Sequence, residues 1–458
     1  MKLVILGAGP AGVGAAFQAA RKKLGSVIVI EQRDTPGGNA GSFDLAGLRV
    51  DYGSHRLHPS CDPRVLRDLS DLLGPDLLPR PRHGRIRLRG RWIGFPIRPL
   101  DLAENLPKSF LIGAALDIVR KKFAAVPERE SFASVLEAGL GRTICRDFYF
   151  PFARKLWGLD PEELSPIQAR RRVSANTPAK LLRRTSGGRR WFYYPRRGYG
   201  QLFESLRDAA QREGAEFLFG SRVTAVQYEG SLVSSVSYET GGSENAAGCD
   251  VLLSTLPINY LVRCLNPPAD VLKTCDRMQF RGMILIYLVL DQPQFSEFDA
   301  HYFPDEEIAI SRLSEPKNYS AVAEPHDRTV LCAELPCDPK SPVWERSDAE
   351  LAEIVGDALR AAGIPLRKPP IEVLTRRLAH AYPIYKRGFE DDFNLLDEWV
   401  GRFENLVTFG RQGLFAHDNA HHALYMAYRA VDCLGESGFR WDRWRDYRRE
   451  FESHIVED

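Results

Sequence analysis

Residues 2–31 combine, without interruption, an apolar strand, a glycine-rich turn, a helix and a second apolar strand. Lys2–Leu6 is the first strand, Gly7–Gly12 reads Gly-Ala-Gly-Pro-Ala-Gly, and Val27–Ile30 is the second strand. Glycines at these positions permit a tight turn, close approach of backbone to a pyrophosphate, and close packing of the helix on the strand. The start of the helix offers free N–H groups to phosphates, and Glu31 can hold ribose hydroxyls. The sequence therefore predicts an α/β fold with a Rossmann-like dinucleotide-binding domain.

The segment after the second strand separates FAD from NAD as the dinucleotide. Glu31–Ser42 reads Glu-Gln-Arg-Asp-Thr-Pro-Gly-Gly-Asn-Ala-Gly-Ser, with an acid, a basic residue and a pair of glycines in that order. It resembles the extended FAD signature of the amine oxidase and protoporphyrinogen oxidase superfamily. The resemblance implies FAD as the cofactor, with Arg33 and Gly38–Ser42 along the pyrophosphate and the ribityl chain.

A second resemblance lies at Val50–His58, which reads Val-Asp-Tyr-Gly-Ser-His-Arg-Leu-His. This segment is similar to the flavin-edge segment of UDP-galactopyranose mutases and protoporphyrinogen-oxidase-like proteins. The resemblance implies that the backbone at Gly53 approaches the flavin ring and that His55 meets its reactive edge. A structural histidine bonded to backbone is an equally good interpretation of His55, so both stay open at this point.

The C-terminal part of the sequence resembles the unit that closes the FAD site in the same superfamily. Asn405–Phe409 is a predicted strand, Gly410–Phe415 follows it, and His421–Asp432 is a predicted helix. The resemblance places the start of this helix at the flavin, where its dipole and free N–H groups stabilise negative charge. Arg411 would add a fixed positive charge.

Four residues in this stretch are of types that bind metal ions, namely His417, Asp418, His421 and His422. We expect no metal here, because a metal site would also need orienting partners and a flavin already supplies redox chemistry. Mutase-like relatives are aromatic and acidic in this stretch. The histidines depart from that pattern and leave the exact substrate pocket open.

Together these segments give the expected FAD contacts, to which the resemblance adds the backbone at Val223 against adenine. The full set is Gly7, Gly9, Pro10, Ala11, Gly12, Glu31, Gln32, Arg33, Gly38, Asn39, Ala40, Ser42, Gly53, Ser54, His55, Val223, Gly410, Arg411, Leu414 and Phe415. The resemblance also implies an FAD domain that is discontinuous and interleaved with an α+β substrate domain. Segments 1–75, 195–260 and 400–458 would form the FAD domain. Segments 76–194, mainly helical, and 261–399, mainly β-sheet, would form the substrate domain.

Arginines concentrate in the predicted substrate domain and at its boundary. Arg85–Pro96 alternates basic and apolar residues and predicts a half-exposed β-hairpin. A second group flanks the aromatic segment 191–195 and consists of Arg183, Arg184, Arg189, Arg190, Arg196 and Arg197. Guanidinium groups hold carboxylates and phosphates through paired hydrogen bonds, so one interpretation is a loop that grips an anionic substrate. A solvated loop is the other, and the net charge of +2 argues against nucleic acid as a partner.

Two further segments supply candidate catalytic residues through their resemblance to mutase-like flavoproteins. Arg312–Lys317 resembles a short motif of those proteins, and Tyr382–Tyr385 corresponds to a Tyr-Pro segment beside the flavin pocket. The catalytic candidates are therefore His55, Arg312 and Tyr385. The candidates for substrate binding are Arg196, Arg197 and Arg312. Local packing is the alternative role for each of them.

Cysteine usage and apolar runs restrict where the chain works. None of the eight cysteines forms a Cys-x-x-Cys pair and the chain opens into a strand instead of a secretion signal, so we expect free thiols in a reducing cytoplasm. No apolar run reaches the roughly 18–20 residues that a membrane span needs. The longest one, Phe110–Val119, predicts a buried helix, with a shallow membrane contact as the alternative.

Three functions fit these features. The first is an FAD-dependent oxidoreductase that transfers a hydride between a small organic substrate and flavin N5. The arginine clusters favour an anionic substrate. The second is a sugar isomerase similar to UDP-galactopyranose mutases, with no net redox change. The third is a flavin-binding protein without turnover, because the sequence offers no decisive catalytic acid or base.

Overall fold

The computed structural model describes residues 1–120, 130–172, 191–320, 322–435 and 438–456. The predicted anion-binding residues Arg183, Arg184, Arg189 and Arg190 lie outside the described residues. The strands are β1 (Lys2–Leu6), β2 (Ser26–Ile30), β3 (Ser42–Leu45), β4 (Leu48–Asp51), β5 (Leu77–Pro81), β6 (Gly84–Leu88), β7 (Arg91–Phe95), β8 (Trp191–Pro195), β9 (Glu216–Leu218), β10 (Ser221–Glu229), β11 (Leu232–Thr240), β12 (Ser243–Gly248), β13 (Val251–Ser254), β14 (Phe280–Leu290), β15 (Ala300–Tyr302), β16 (Arg312–Ser314), β17 (Thr329–Cys337), β18 (Glu372–Pro383), β19 (Leu406–Thr408), β20 (Leu434–Gly435) and β21 (Gly438–Phe439). The helices are α1 (Pro10–Arg21), α2 (Pro63–Leu73), α3 (Pro99–Asn105), α4 (Lys108–Arg120), α5 (Phe132–Leu140), α6 (Arg142–Ile144), α7 (Phe150–Trp157), α8 (Pro166–Arg172), α9 (Gln201–Arg212), α10 (Ile258–Cys264), α11 (Ala269–Arg277), α12 (Pro316–Ser320), α13 (Asp348–Ala361), α14 (Phe389–Val400), α15 (Gly410–Gly413), α16 (Ala420–Asp432) and α17 (Trp441–Phe451).

Strand β1 is buried on both faces, and its side chains divide between two cores. Leu3 and Ile5 pack with helices α1, α9 and α16, whereas Val4 and Leu6 pack in a second core that includes β10 and β11. This division follows the two-residue period of a strand. A strand that is apolar at every buried position is typical of the centre of a parallel sheet.

The predicted α/β class is confirmed by a five-stranded parallel sheet in the order β19-β13-β1-β2-β9. Helices α1, α9 and α16 pack against one face. On the other face, the second core includes the antiparallel sheet β10-β11-β12 and helices α10, α11 and α14. The five strands come from three separated stretches of the chain, so the sheet forms only when those stretches meet.

A larger sheet of seven strands has the order β18-β14-β17-β16-β15-β6-β7. Its neighbours are antiparallel except for the parallel pair β15 and β6. Strands β6 and β7 form the half-exposed hairpin that Arg85–Pro96 predicts, so that prediction is confirmed. The sheet places distant parts of the chain side by side on one rigid surface.

The predicted buried helix at Phe110–Val119 needs a correction. A helix is present as α4, and Phe110 and Asp117 are buried in it. However, Ile112, Leu116 and Val119 are 60%, 48% and 59% exposed. Apolar residues lie on all sides of this helix, but among the described residues only one face of it is buried. Asp117 faces inward because its carboxylate accepts a hydrogen bond from the backbone N–H of Thr143 at 2.6 Å.

All eight cysteines are free, and seven of them are buried. Burial raises the pKa of these thiols, that of Cys264 for example to about 11. They therefore stay protonated and pack as small apolar groups, as expected. Among the residues that the structure describes, no helix is long and apolar enough to cross a membrane.

Candidate cofactor and substrate site

A cavity of about 560 Å³ lies where three strands of the parallel sheet end. Gly7 follows β1, Glu31 follows β2 and Thr255 follows β13, and each of them lines the cavity. Ligands of open parallel sheets bind at this carboxyl edge of the strands. Arg312 and Glu334 also line the cavity, so it extends from the parallel sheet to the seven-stranded sheet.

Most of the predicted cofactor residues line this cavity. They are Gly7, Gly9, Pro10, Ala11, Glu31, Gln32, Arg33, Gly38, Asn39, Ala40, Ser54, His55 and Arg411. The other predicted cofactor residues lie outside the lining and are Gly12, Ser42, Gly53, Val223, Gly410, Leu414 and Phe415. Of the catalytic and substrate candidates, His55 and Arg312 line the cavity, whereas Tyr385, Arg196 and Arg197 do not.

The glycine turn leaves open space beside the start of helix α1. A Cβ added at Gly9 would meet no atom of the described residues within 4 Å, whereas one at Gly12 would lie 1.8 Å from the carbonyl oxygen of Gly7. Helix α1 begins at Pro10, and none of the described side chains caps it. The first N–H groups of a helix have no partner within it. Open space beside such groups fits a phosphate.

Two charged side chains brace the loops around this turn. Glu31 is buried, and its carboxylate accepts hydrogen bonds from the N–H groups of Ala8 at 2.6 Å and Arg33 at 2.9 Å. The Arg33 guanidinium donates to the carbonyl of Gly38 at 2.7 Å and to the side-chain oxygen of Asn39 at 3.0 Å. Both residues line the cavity, so they shape the loops and face the space between them.

The structure shows the backbone-bonded form of His55. Its Nε2 lies 2.9 Å from the carbonyl oxygens of both Asn39 and Tyr52, and its ring stacks on Tyr199. Burial lowers the pKa of His55, while the charge of Asp51 opposes that shift. A neutral ring that donates to a backbone carbonyl follows from this arrangement. Because His55 also lines the cavity, its catalytic role stays a prediction.

Ser42 acts within the loop and does not face the cavity. Its hydroxyl donates to Asp51 at 2.6 Å and accepts from the N–H of Gly200 at 2.7 Å. Asp51 also accepts from the N–H of Tyr199 at 2.9 Å. Burial raises the pKa of the Asp51 carboxyl. These bonds tie the segment after Glu31 to the segment that leads into helix α9.

Three residues on neighbouring strands form a row across the seven-stranded sheet. Tyr302 on β15 is directly opposite Arg312 on β16, which is directly opposite Glu334 on β17. Directly opposed residues point to the same face of a sheet, and all three line the cavity. The Nε and Nη2 of Arg312 each donate to Glu334 at 2.9 Å. Burial opposes the charge of Arg312, but the Glu334 carboxylate outweighs it together with nearby tyrosines, and the pKa of Arg312 is raised. The predicted substrate anchor is therefore already paired.

Arg56 is a cavity residue to which the sequence analysis assigned no role. Its side chain is 8% exposed. Its Nη1 donates to Tyr302 Oη at 3.0 Å, and its Nη2 donates to Asp299 Oδ1 at 3.2 Å and to Tyr319 Oη at 3.2 Å. These partners are more than two hundred residues away along the chain, so no local pattern indicates them. The only local signal was its position directly after His55.

The predicted closing unit is present, and it contacts helix α1 just after the glycine turn. Helix α16 begins at Ala420, one residue before the predicted start. Its first turn lines the cavity together with Asp418 and Asn419. A Cβ at Gly410 would lie 2.7 Å from the Cβ of Ala11, so a glycine is needed where this unit meets helix α1. Leu414 packs against the core that includes Ala11, Phe415 lies in the second core, and neither lines the cavity.

Asp418, His422 and His454 form a group close enough together to be considered as metal ligands. The two imidazole rings stack 4.3 Å apart with planes 13° from parallel. A metal ion binds in the plane of an imidazole ring, and two stacked rings do not share one. The N–H of Asn419 also donates to His422 Nδ1 at 3.3 Å. Burial opposes the charge of Asp418, but its hydrogen bond to His454 and the two histidines' charges lower the pKa of its carboxyl. We interpret these three residues as a polar network at the start of helix α16. That no metal binds here stays a prediction.

Four further predicted residues lie outside the cavity lining. Tyr385 is buried and stacks on Phe389 at 4.0 Å. Arg196 is half exposed and pairs with Asp76 at 3.2 Å. The carbonyl of Val223 accepts a hydrogen bond from the Tyr260 hydroxyl at 2.7 Å. Arg197 donates from its backbone N–H to the side chain of Gln201 at 2.9 Å. Their predicted roles at a ligand stay predictions.

Comparison with known proteins agrees with the resemblances in the sequence. The sequence profile of the flavin-containing amine oxidoreductase family matches residues 10–391. A protein described as a flavin-containing monoamine oxidase, from Mycobacterium tuberculosis, is 26% identical over 285 residues, which cover 58% of this chain and 59% of that protein. The chain thus spans less than two thirds of the length of this relative.

Among the solved structures that superpose on nearly the whole chain, two illustrate the likeness. Reduced UDP-galactopyranose mutase gives a TM-score of 0.81 at 21% identity and covers 100% of both chains. A protein described as a protoporphyrinogen oxidase, from Exiguobacterium, gives a TM-score of 0.71 at 19% identity and covers 94% of this chain and 98% of that one. At these identities the likeness establishes a shared fold.

Proposed function

Because the chain belongs to the flavin-containing amine oxidoreductase family, we propose that it is an FAD-dependent oxidoreductase acting on a small substrate with an anionic oxygen group. One observation carries this proposal. The same cavity is lined by the glycine turn after β1 and by the row of Tyr302, Arg312 and Glu334 on the seven-stranded sheet. It therefore joins a place suited to a dinucleotide with a place suited to a substrate.

The residues around the glycine turn fit FAD, the cofactor of this family. The open space at Gly9 and the uncapped start of α1 would take the pyrophosphate, and Glu31 would take ribose hydroxyls. When bound, the flavin accepts a hydride from a substrate C–H bond. The chain itself orients the substrate and excludes water, with Phe152 and Leu156 as apolar lining.

The same reasoning supports an FAD domain formed by segments 1–75, 195–260 and 400–458. Segments 76–194 and 261–399 would form the substrate domain. All strands of the parallel sheet fall in the first set of segments, and all strands of the seven-stranded sheet fall in the second.

Flavin reduction tests the proposed reaction. Holoenzyme incubated without oxygen with panels of amines, amino acids and hydroxy acids is expected to lose its yellow colour with at least one carboxylate-bearing compound. Oxygen or a quinone should then restore the colour. The neutral amide of the active acid is the matched control and should reduce the flavin more slowly. Protein that takes up no FAD, or flavin that no panel member reduces, contradicts the proposal.

A second candidate function is a sugar isomerase similar to the UDP-galactopyranose mutases. Arg56, Arg312 and Arg377 all line the cavity, and guanidinium groups suit a nucleoside diphosphate. Dithionite-reduced holoenzyme is incubated with UDP-galactopyranose without oxygen, and the sugar products are separated by chromatography. Ring isomerisation without net oxidation favours this candidate. A flavin that responds to neither experiment identifies a binding protein without turnover.

Glu31→Ala is expected to weaken FAD binding by about 1–3 kcal/mol, because the ribose hydroxyls that Glu31 would hold lose their acceptor. The N–H groups of Ala8 and Arg33 also lose an acceptor, but that loss falls on the apoprotein and the FAD-loaded protein alike. Isothermal titration of FAD into apoprotein measures the effect. Glu31→Gln keeps one acceptor oxygen and should lose less affinity. Equal affinity in all three proteins would return Glu31 to a purely structural role.

A further inference from the structure

Two tyrosine hydroxyls accept hydrogen bonds from the same guanidinium but differ in what surrounds them. Tyr302 accepts from Arg56 Nη1 at 3.0 Å, and Tyr319 accepts from Arg56 Nη2 at 3.2 Å. Tyr302 is half-buried and lines the cavity. Tyr319 is buried and lies outside the lining. The pair allows one hydroxyl to be compared directly with the other.

The hydrogen of the Tyr302 hydroxyl remains available for a ligand. A guanidinium has only donors, so Arg56 must donate to the phenol oxygen and cannot accept from it. Within the described part of the chain, the Tyr302 hydroxyl donates to no acceptor. Tyr319 differs, since its hydroxyl is hydrogen-bonded to that of Ser54 at 2.5 Å, with either oxygen as the donor, and it lies outside the cavity lining. Tyr302 therefore presents a donor to the cavity, and Tyr319 does not.

The position of Tyr302 is fixed from two sides. Its backbone pairs with Arg312 on β16 and with Ile86 on β6, and residues on paired strands hold their geometry better than residues on loops. The Arg312 guanidinium lies 5.8 Å from the centre of the Tyr302 ring. Both guanidiniums beside Tyr302 already have carboxylate partners, Asp299 for Arg56 and Glu334 for Arg312.

We propose that the Tyr302 hydroxyl is the specificity-determining donor that binds the anionic oxygen of the substrate, either a carboxylate or a phosphate. Each neighbouring guanidinium already has a carboxylate partner that offsets its charge, whereas the hydrogen of the phenol has no acceptor among the described residues. Arg56 acts through Tyr302 as a positioning residue that fixes the phenol oxygen and directs its hydrogen into the cavity. This inference rests on the proposed function, because it names the contact that holds the substrate group.

The test compares Tyr302→Phe with Tyr319→Phe in FAD-loaded protein. Benzoate and UDP are titrated by isothermal calorimetry, one as a carboxylate probe and the other as a phosphate probe. Loss of a hydrogen bond to a charged group should weaken at least one probe by about tenfold or more in Tyr302→Phe. Tyr319→Phe should bind the same probe within about twofold of wild type. FAD content and melting temperature show that both variants are folded and loaded.

The probe that responds identifies the chemistry of the substrate group. A response of benzoate alone indicates a carboxylate, and a response of UDP alone indicates a phosphate. The proposal is overturned if loaded wild-type protein binds neither probe, if Tyr302→Phe binds both as wild type does, or if the two variants lose affinity equally. Failure of the proposed function is a separate result, since it appears as protein without FAD or as flavin that no substrate reduces.

Discussion

Gly9→Ala is expected to strip FAD from the protein while the apoprotein keeps its wild-type stability. An added Cβ meets no described atom within 4 Å, and the φ of −67° at this position suits any residue. The free energy of unfolding of the apoprotein should therefore change by less than about 0.5 kcal/mol. The methyl group would occupy the space in which a pyrophosphate approaches the helix start. Each hydrogen bond to phosphate that it prevents costs about 1.5–3 kcal/mol of binding.

Gly12→Ala is the matched control, because its methyl group collides with the protein itself. The Cβ would lie 1.8 Å from the carbonyl oxygen of Gly7, which should lower the free energy of unfolding of the apoprotein by about 3 kcal/mol or more. Urea unfolding and FAD titration of both apoproteins separate the two effects. If Gly9→Ala binds FAD as tightly as wild type does, the pyrophosphate does not lie at this turn.

Glu334→Ala should lower the free energy of unfolding by about 3–5 kcal/mol, because it leaves a buried guanidinium without its partner. The side chains of Arg312 and Glu334 are 14% and 4% exposed. The N–H of Ser54, which donates to Glu334 at 2.9 Å, also loses its acceptor. Urea denaturation of the purified protein measures the loss.

The double variant Arg312→Met/Glu334→Leu distinguishes a charge effect from a packing effect. Removing both members of a buried pair costs far less than removing one, and an apolar pair is often neutral or stabilising. The double variant should therefore regain most of the stability that Glu334→Ala loses. Equal losses in the single and double variants would show that shape, not charge, makes this row stable.

The proposed cofactor half of the site was largely predictable from the sequence, because its signals are local. The turn at Gly7–Gly12 and the acid Glu31 lie within one β–α–β unit, whose order follows from the apolar runs and the glycines. The closing helix was predicted to within one residue of its start at Ala420. In such segments, the number of residues between two positions determines how they are placed relative to each other in the structure.

The proposed substrate half was predictable only in part, because it depends on strand register: Arg312 was predicted and lines the cavity, but its neighbours in the row were not predicted. Arg56 and Tyr302 are far apart in the sequence, and Tyr302, Arg312 and Glu334 meet only through the pairing of β15, β16 and β17. No single-sequence pattern encodes which residues of distant strands stand opposite each other. Within the predicted Tyr-Pro segment, Tyr382 lines the cavity and Tyr385 does not, and the role of Tyr385 stays a prediction.

The cavity walls come from distant parts of the chain, so the cavity is incomplete until late in biosynthesis. The glycine turn is complete after the first strands emerge from the ribosome, but Thr255 and the first turn of α16, starting at Ala420, line the same space. A nascent chain that has not yet reached α16 holds the dinucleotide motif without its enclosure. We therefore expect FAD to be captured late and to stabilise the nearly finished protein by mass action, not to nucleate its folding.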